Sequence, residues 1–553
     1  MGIPRRLTAG RIGLAAALSM AGATSCTPDD PTATSVQQIR PDRTGAGWPA
    51  FQAGETLETF ASAGGGFLIH FTRAGFDAVP TVDADSNGTP DFVEQAAGVY
   101  DNVLAFYHDM HGFRAPPSDL RAAGGNGGDG RFDVYLVNFD GHSDGAFRQD
   151  DGCNPTTSPT CSGYMLQDND FAEFGYPSTL IANRILASHE FFHAIQAGYD
   201  TRRDTILSES TAAWGTRQYA RAVDPALVSD FNGFVPGFMA TPERSLDAVQ
   251  TGPVDSFAYG AALFPEFLSE RHSFDFAIVE RLWAACGTDD GTTSWLVLLD
   301  QVLQRDYATS FAAEYGEFAV WNLYTAARAN PTRAYADGAQ YPLVATTAAA
   351  LPFSNARVRF FHAASRYYRS SVEGRTTMTA ALVAPPDAAP DFFQGVQVRL
   401  AVQRGNVLDE PRSLASVADG TETVDTTGAS LVITLVSDVN TGGQSKVVGL
   451  CIGTPAEVAE CRSTLVAAQD AGVPADASDA SAETDVVDAA ADGGITTRPP
   501  GCACRTAGPA RHAPRGLGLI ALLGLALAAR GQRVTVPAST PSRPTGTRSL
   551  PTS

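Results

Sequence analysis

His189 and His193 bracket Glu190 in the run Ala187-Ser188-His189-Glu190-Phe191-Phe192-His193-Ala194-Ile195-Gln196, an H-E-x-x-H sequence. Side chains four residues apart on a helix lie one above the other, so the two imidazoles would share a face at the bite a zinc ion needs. The Glu190 carboxylate would sit beside them, placed to take a proton from an attacking water as general base. The competing reading is a buried helix that happens to carry two histidines, because Ile185, Leu186, Phe192 and Ile195 fit a core face. With nine His in 553 residues, their placement around a glutamate at this spacing favours the metal.

A catalytic zinc takes three protein ligands and keeps one position open. Glu209, sixteen residues after His193, is the candidate third ligand; it lies in Leu207-Ser208-Glu209-Ser210-Thr211-Ala212-Ala213-Trp214. An ordinary first-turn glutamate favoured by the helix dipole is the alternative there. Asp200 and Asp204 compete for the ligand role and rank below it, as carboxylates that could orient the imidazoles.

The motif needs two helices that fold back on each other. Ala197-Gly198-Tyr199-Asp200 reads as a helix stop, and Thr205 or Ser208 would cap a second helix running to about Ala222. The small side chains of Ala212 and Ala213 would let the pair approach closely.

These residues resemble the gluzincin metallopeptidases, and in particular a group of secreted metalloproteases from myxobacteria and their relatives. The resemblance spans roughly Phe51 to Gln340. It includes Asp83 to Glu94, the Gly-rich run into Arg131-Phe132-Asp133-Val134-Tyr135-Leu136, and Tyr259-Gly260-Ala261-Ala262-Leu263-Phe264. It implies a zinc endopeptidase with His189, His193 and Glu209 as ligands and Glu190 as base. Ala213 departs from the pattern, since some gluzincins carry an Asp one turn after the ligand glutamate. The resemblance further implies that Gly163 to Asp168 is the edge strand on which an extended substrate adds. Tyr259 becomes a candidate electrophile for the oxyanion, against the alternative of packing between helices.

Asp83-Ala84-Asp85-Ser86-Asn87-Gly88-Thr89-Pro90-Asp91-Phe92-Val93-Glu94 matches every fixed position of an EF-hand-type calcium loop. Oxygens of Asp83, Asp85, Asn87, the Thr89 carbonyl, Asp91 and Glu94 would converge on one structural Ca2+. Pro90 removes a donor that paired EF-hands use, so a lone loop is expected. An Asp-rich turn with no ion is the plain alternative. Phe92, Ala96, Val99, Val103, Phe106 and Met110 then recur at helical spacing, so the loop feeds an amphipathic helix.

Upstream, Phe67 to Phe71 reads as a strand with His70 structural, and Phe132 to Phe139 as a half-buried strand. From Glu209 to about Tyr335 the pattern is helical, forming a second lobe of the cleft. From Tyr341 to about Leu465, short β-type runs separated by turn residues indicate a β-sandwich without a catalytic constellation, an accessory module.

Both ends carry targeting features. Arg5, Arg6 and Arg11 precede an apolar stretch at Ile12 to Ala23 that is too short to span a bilayer, so 1–26 reads as an export leader. Ala23-Thr24-Ser25-Cys26 offers a lipoprotein-type cleavage site that would lipidate Cys26, and Ala21-Gly22-Ala23 an ordinary one. At the other end Cys502 and Cys504, the apolar run Gly516 to Ala529, and Arg530 and Arg533 resemble the C-terminal sorting signal of myxobacterial surface proteins. Export makes disulfides plausible, and Cys153–Cys161 and Cys451–Cys461 close short loops. Cys286 reads as a small core residue.

A net charge of −21 argues against nucleic acid as partner. Seven acidic residues and no basic one lie between Arg462 and Arg498, so part of that charge belongs to a solvated linker.

The expected fold is α+β: a zincin-like domain of mixed sheet, active-site helices and helical lobe over 51–340, then the sandwich over 341–465. A linker at 27–50, an acidic linker at 466–500, an anchor segment at 501–533 and a tail at 534–553 complete the chain. Two functions fit. One is an exported, membrane-anchored zinc endopeptidase acting on protein or peptide; the other is a catalytically inactive surface protein that works by binding or adhesion.

Overall fold

The computed structural model describes residues 25–28, 39–43, 48–122, 125–153, 158–470 and 502–505. The expected leader up to Thr24, the acidic linker from 471 and the C-terminal segment other than Cys502–Arg505 lie outside the described residues. Ser25–Pro28 (β1) pairs antiparallel with Cys502–Arg505 (β17). The fold is α+β.

Three runs rich in apolar residues, Phe67–Thr72 (β3), Phe132–Val137 (β4) and Gly163–Asp168 (β6), lie parallel at the centre of a five-stranded sheet. Leu57–Ala61 (β2) flanks β3 and Gly145–Gln149 (β5) flanks β6, both antiparallel, giving the order β2-β3-β4-β6-β5. A sheet covered on both faces has near-continuous apolar strands. This is why β4 is buried along nearly its whole length, rather than half-buried as its pattern suggested.

On one face lie Asp91–Leu104 (α1) and Thr179–Ala197 (α2). The Phe67 ring meets Tyr100 of α1 at 5.4 Å and Phe191 of α2 at 5.2 Å. On the other face Tyr135, Tyr164 and Phe51 cluster, and the N-terminal segment adds a buried cation there. Arg40, 1% exposed, pairs with Asp119 and Asp150 at 2.7 Å each and with Asp133, and lies 4.8 Å over the Tyr164 ring. Within the expected linker at 27–50, Arg40 is therefore docked on the sheet. His70 is structural: its Nε2 meets Asp133 Oδ1 at 2.7 Å and its ring stacks on Tyr135.

After α1 the helix widens into a π-turn over Ala105–Met110. The wider turn shifts the phase of the side chains. Phe106 stays buried, but Met110, expected on the apolar face, is 68% exposed.

Thr205–Val223 (α3) packs back on α2. Val228–Ala240 (α4), Ser256–Gly260 (α5), Leu263–Arg271 (α6), Ala277–Thr288 (α7), Trp295–Asp306 (α8) and Phe311–Trp321 (α9) build the helical lobe. Cys286 of α7 is a free, buried thiol.

Between Thr347 and Gly453 come ten strands, β7 to β16 in chain order, in two sheets that share an apolar core. In Leu431–Asp438 (β15), Val432 and Val436 point into that core while Ile433 and Leu435 join the core of the helical lobe. Tyr367 Oη donates to Ala319 O of α9 at 2.9 Å, and Arg399 Nη1 to Gly316 O at 2.8 Å. A Cβ at Gly316 would lie 2.6 Å from Gln397 Oε1, so glycine allows this contact.

Pro455–Asp470 (α10) follows the strands, and it contradicts the reading of 341–465 as β throughout. Its start carries a capping box: Glu457 N donates to Thr454 Oγ1 at 3.3 Å and Thr454 N to Glu457 Oε2 at 2.8 Å. Both expected disulfides, Cys153–Cys161 and Cys451–Cys461, are formed.

Candidate metal centre

Ser178 caps α2, its hydroxyl accepting from Ile181 N, and the helix runs nineteen residues through the motif. His189 and His193 stand one turn apart with ring centroids 5.1 Å from each other and planes at 82°. Helix α3 is capped by Asp204, whose carboxylate accepts from Leu207 N at 2.9 Å, instead of by Thr205 or Ser208. Gly215 allows the two helices to meet: a Cβ there would stand 3.0 Å from Phe192 Cδ2. Ala212 and Ala213 are fully buried, as their size suggested.

This packing brings Glu209 onto the two imidazoles. Glu209 Oε2 lies 3.4 Å from His189 Nε2 and 3.5 Å from His193 Nε2. Ligands about 2.0–2.1 Å from a tetrahedral zinc are about 3.3 Å apart, so each of these two spacings suits a pair of ligands on one ion. Among the described residues, His193 Nε2 is buried with no hydrogen-bond partner, as a nitrogen reserved for a metal would be.

The charges agree with the geometry. Burial pushes the Glu209 carboxyl up, but the facing imidazoles outweigh it and hold it well below the usual carboxylate range. Burial would lower the His193 pKa; the Glu209 carboxylate outweighs that and lifts it to about 9. The cluster thus favours a positive charge between its three side chains.

Glu190 is fully buried beside the pair, and its ligand-type atom lies within 4.8 Å of those of His189 and His193. Its Oε2 accepts the backbone N–H of Phe147 at 3.1 Å. Burial, opposed by the two imidazoles, raises its pKa.

Phe147 belongs to β5, which is the sheet edge nearest the motif. The expected edge strand, Gly163 to Asp168, is instead interior, hydrogen-bonded to β4 on one side and β5 on the other. Sequence reasoning passed over Gly145–Gln149 because five mixed residues show no alternation. The Cys153–Cys161 pairing was the usable signal, since a short bridged loop brings its flanks together as a hairpin.

Asp200 and Asp204 do not orient the imidazoles. Asp200 is taken by Arg202 at 2.7 Å and Arg203 at 2.8 Å, and Asp204 by its cap. The partner of His193 Nδ1 is Gln196 Oε1 at 2.8 Å, a residue the sequence reading did not single out.

Tyr259 of α5 lies beside His189. Its ring lies 6.0 Å from that of His189 and stacks on Phe234 at 5.2 Å.

The 83–94 loop gathers three of its acidic side chains. Carboxylate oxygens of Asp83, Asp85 and Asp91 lie within 4.8 Å of one another. Gly88, at φ +93°, makes the turn. Asn87 Nδ2 donates to Asp85 Oδ2 at 2.9 Å and Glu94 Oε1 at 2.8 Å, so Asn87 meets these carboxylates with its amide nitrogen and not with the oxygen expected to ligate. Hard oxygen donors of this kind suit calcium. The Thr89 N–H is held by Asn87 Oδ1 at 2.8 Å.

No family model matches the chain, and no curated protein matches it.

Proposed function

We propose that this protein is a zinc-dependent endopeptidase of the gluzincin type, with a zincin-like domain built from the five-stranded sheet, α1 to α3 and the helical lobe. The observation that carries the reading is the convergence of His189, His193 and Glu209 on one point, with Glu190 beside it. His189, His193 and Glu209 would hold the ion. Bound zinc supplies Lewis acidity, polarising the scissile carbonyl and lowering the pKa of its water to about 7.

The remaining work falls to this chain. The side of β5 that is not hydrogen-bonded to β6 would offer main-chain groups to an extended peptide, adding it as a further strand whatever its side chains, and Cys502–Arg505 (β17) also lies against β5. Glu190, steadied by Phe147 N–H and made more basic by burial, takes a proton from the attacking water and passes it to the leaving amine. Tyr259 would donate to the carbonyl oxygen as negative charge develops.

Two further parts of the reading support an extracellular setting. Calcium at Asp83, Asp85, Asn87, Thr89, Asp91 and Glu94 would pin the start of α1. The terminal segments would export the chain and anchor it at the cell surface or outer membrane. Among the described residues, no helix is long and apolar enough to cross a membrane.

The test is metal analysis with peptide hydrolysis. One zinc per chain and casein or peptide cleavage that Glu190→Gln abolishes are expected. Cleavage unaffected by Glu190→Gln sinks the mechanism.

A further inference from the structure

Gln196 lies three residues beyond His193 on α2, on the same helix face, and is 4% exposed. Its side-chain amide is held on both sides. Nε2 donates to Ser208 O at 2.8 Å and to Thr211 Oγ1 at 3.0 Å, and Oε1 meets His193 Nδ1 at 2.8 Å. Ser208 and Thr211 flank Glu209 in α3, so one amide joins the helix of two ligands to the helix of the third.

The orientation of that amide follows from which neighbours can only accept or only donate. Trp283 Nε1 of α7, a donor only, reaches Thr211 Oγ1 at 3.2 Å. The Thr211 hydroxyl spends its single proton on Leu207 O at 2.7 Å. Thr211 therefore accepts from Gln196, and Ser208 O, a carbonyl, can do nothing else. Turning the amide over would set Oε1 against that carbonyl. Oε1 must face His193, and an amide oxygen accepts, so His193 Nδ1 carries the hydrogen. The lone pair of a neutral His193 then sits on Nε2, the buried nitrogen that faces Glu209 and has no hydrogen-bond partner among the described residues.

We infer that Gln196 is a positioning residue for the metal: through the chain Trp283–Thr211–Gln196–His193 it fixes the tautomer and ring angle of His193 and locks the two ligand helices in register. Outer partners of metal-bound histidines are commonly carboxylates, backbone carbonyls or waters. Here the role falls to a neutral side-chain amide, which adds no charge to the centre. The inference rests on the zinc reading above.

The test measures zinc affinity of the full chain by competition with a chromophoric chelator, and the visible absorption of the Co2+-loaded protein. The proteins compared are wild type, Gln196→Met, Thr211→Val and the double variant. Gln196→Met, similar in length but without donor or acceptor, should weaken zinc about 10–100-fold and alter the Co2+ spectrum. Thr211→Val, which never touches the metal ligands, should weaken it less. The double variant should be no worse than Gln196→Met alone, because both break one chain.

Additive losses, or unchanged affinity and spectrum in Gln196→Met, overturn the inference. Wild type that binds no zinc overturns the zinc reading itself, a distinct result. If Gln196→Met does not fold, Thr211→Val decides: it must still lower affinity and shift the spectrum, and an unchanged centre refutes the role.

Discussion

The backbone N–H of Phe147, on the edge strand, donates to Glu190 Oε2 on the motif helix at 3.1 Å. One main-chain group thus ties the candidate base to the strand on which a substrate would lie. Glu190→Gln keeps an acceptor for this N–H while removing the base. Hydrolysis should fall by about 10²–10⁴-fold with zinc content and melting temperature unchanged. Assay of the purified variant beside metal analysis checks this, and loss of zinc would instead assign Glu190 to metal binding.

Asp144 sits at the entry to β5, almost fully buried, with Tyr176 Oη donating to its Oδ2. Burial is the chief cause that pushes its pKa up to about 8. The folded protein therefore keeps a proton that the unfolded chain loses near pH 4, so this group makes stability fall from about pH 4 to about pH 8. Asp144→Asn, whose amide oxygen can still accept from Tyr176, removes that dependence. It should raise the melting temperature by a few degrees at pH 7–8 and by little at pH 4. Thermal melts across that range decide it, and a gain that is constant with pH would refute the account.

Removal of calcium should unpin α1. With the ion at about 100 times its Kd, binding adds about 2.7 kcal/mol of stability. A calcium-selective chelator is expected to lower the melting temperature of wild type by several degrees and to leave Asp83→Ala unmoved. Equal shifts in both proteins would mean that the loop does not hold the ion.

Arg40 pairs with Asp119, Asp133 and Asp150 beneath the sheet. Arg40→Met removes the cation and leaves the carboxylates buried together. Breaking a buried pair from one side costs about 3–5 kcal/mol. Denaturant unfolding should show a loss of that size, and a loss below about 1 kcal/mol would mean that water replaces the guanidinium.

Local features were legible in the sequence, and long-range ones were not. His189, Glu190 and His193 lie within one helical turn, and Asp83 to Glu94 within one loop, so spacing alone brings those groups together. Glu209 could be proposed because a helix stop at Gly198 leaves a short return path. Strand order was hidden, since Gly145–Gln149 becomes an edge only through pairing with β6. The choice of Gln196 over Asp200 depended on Arg202 and Arg203 taking the carboxylate, a competition invisible in spacing. Met110 was misplaced because a π-turn changes the period on which the reading relied. Helix α10 was readable: Thr454-Pro455-Ala456-Glu457 is a capping box with proline at the first helical position, and it was passed over.

Strand β15 has neither face to spare, since Val432 and Val436 fill one core while Ile433 and Leu435 fill the other. The C-terminal β region is consequently no detachable bead on a string. Calorimetry of the 51–470 portion should record a single endotherm, and a protease cut that strips away the strands would leave the helical lobe insoluble.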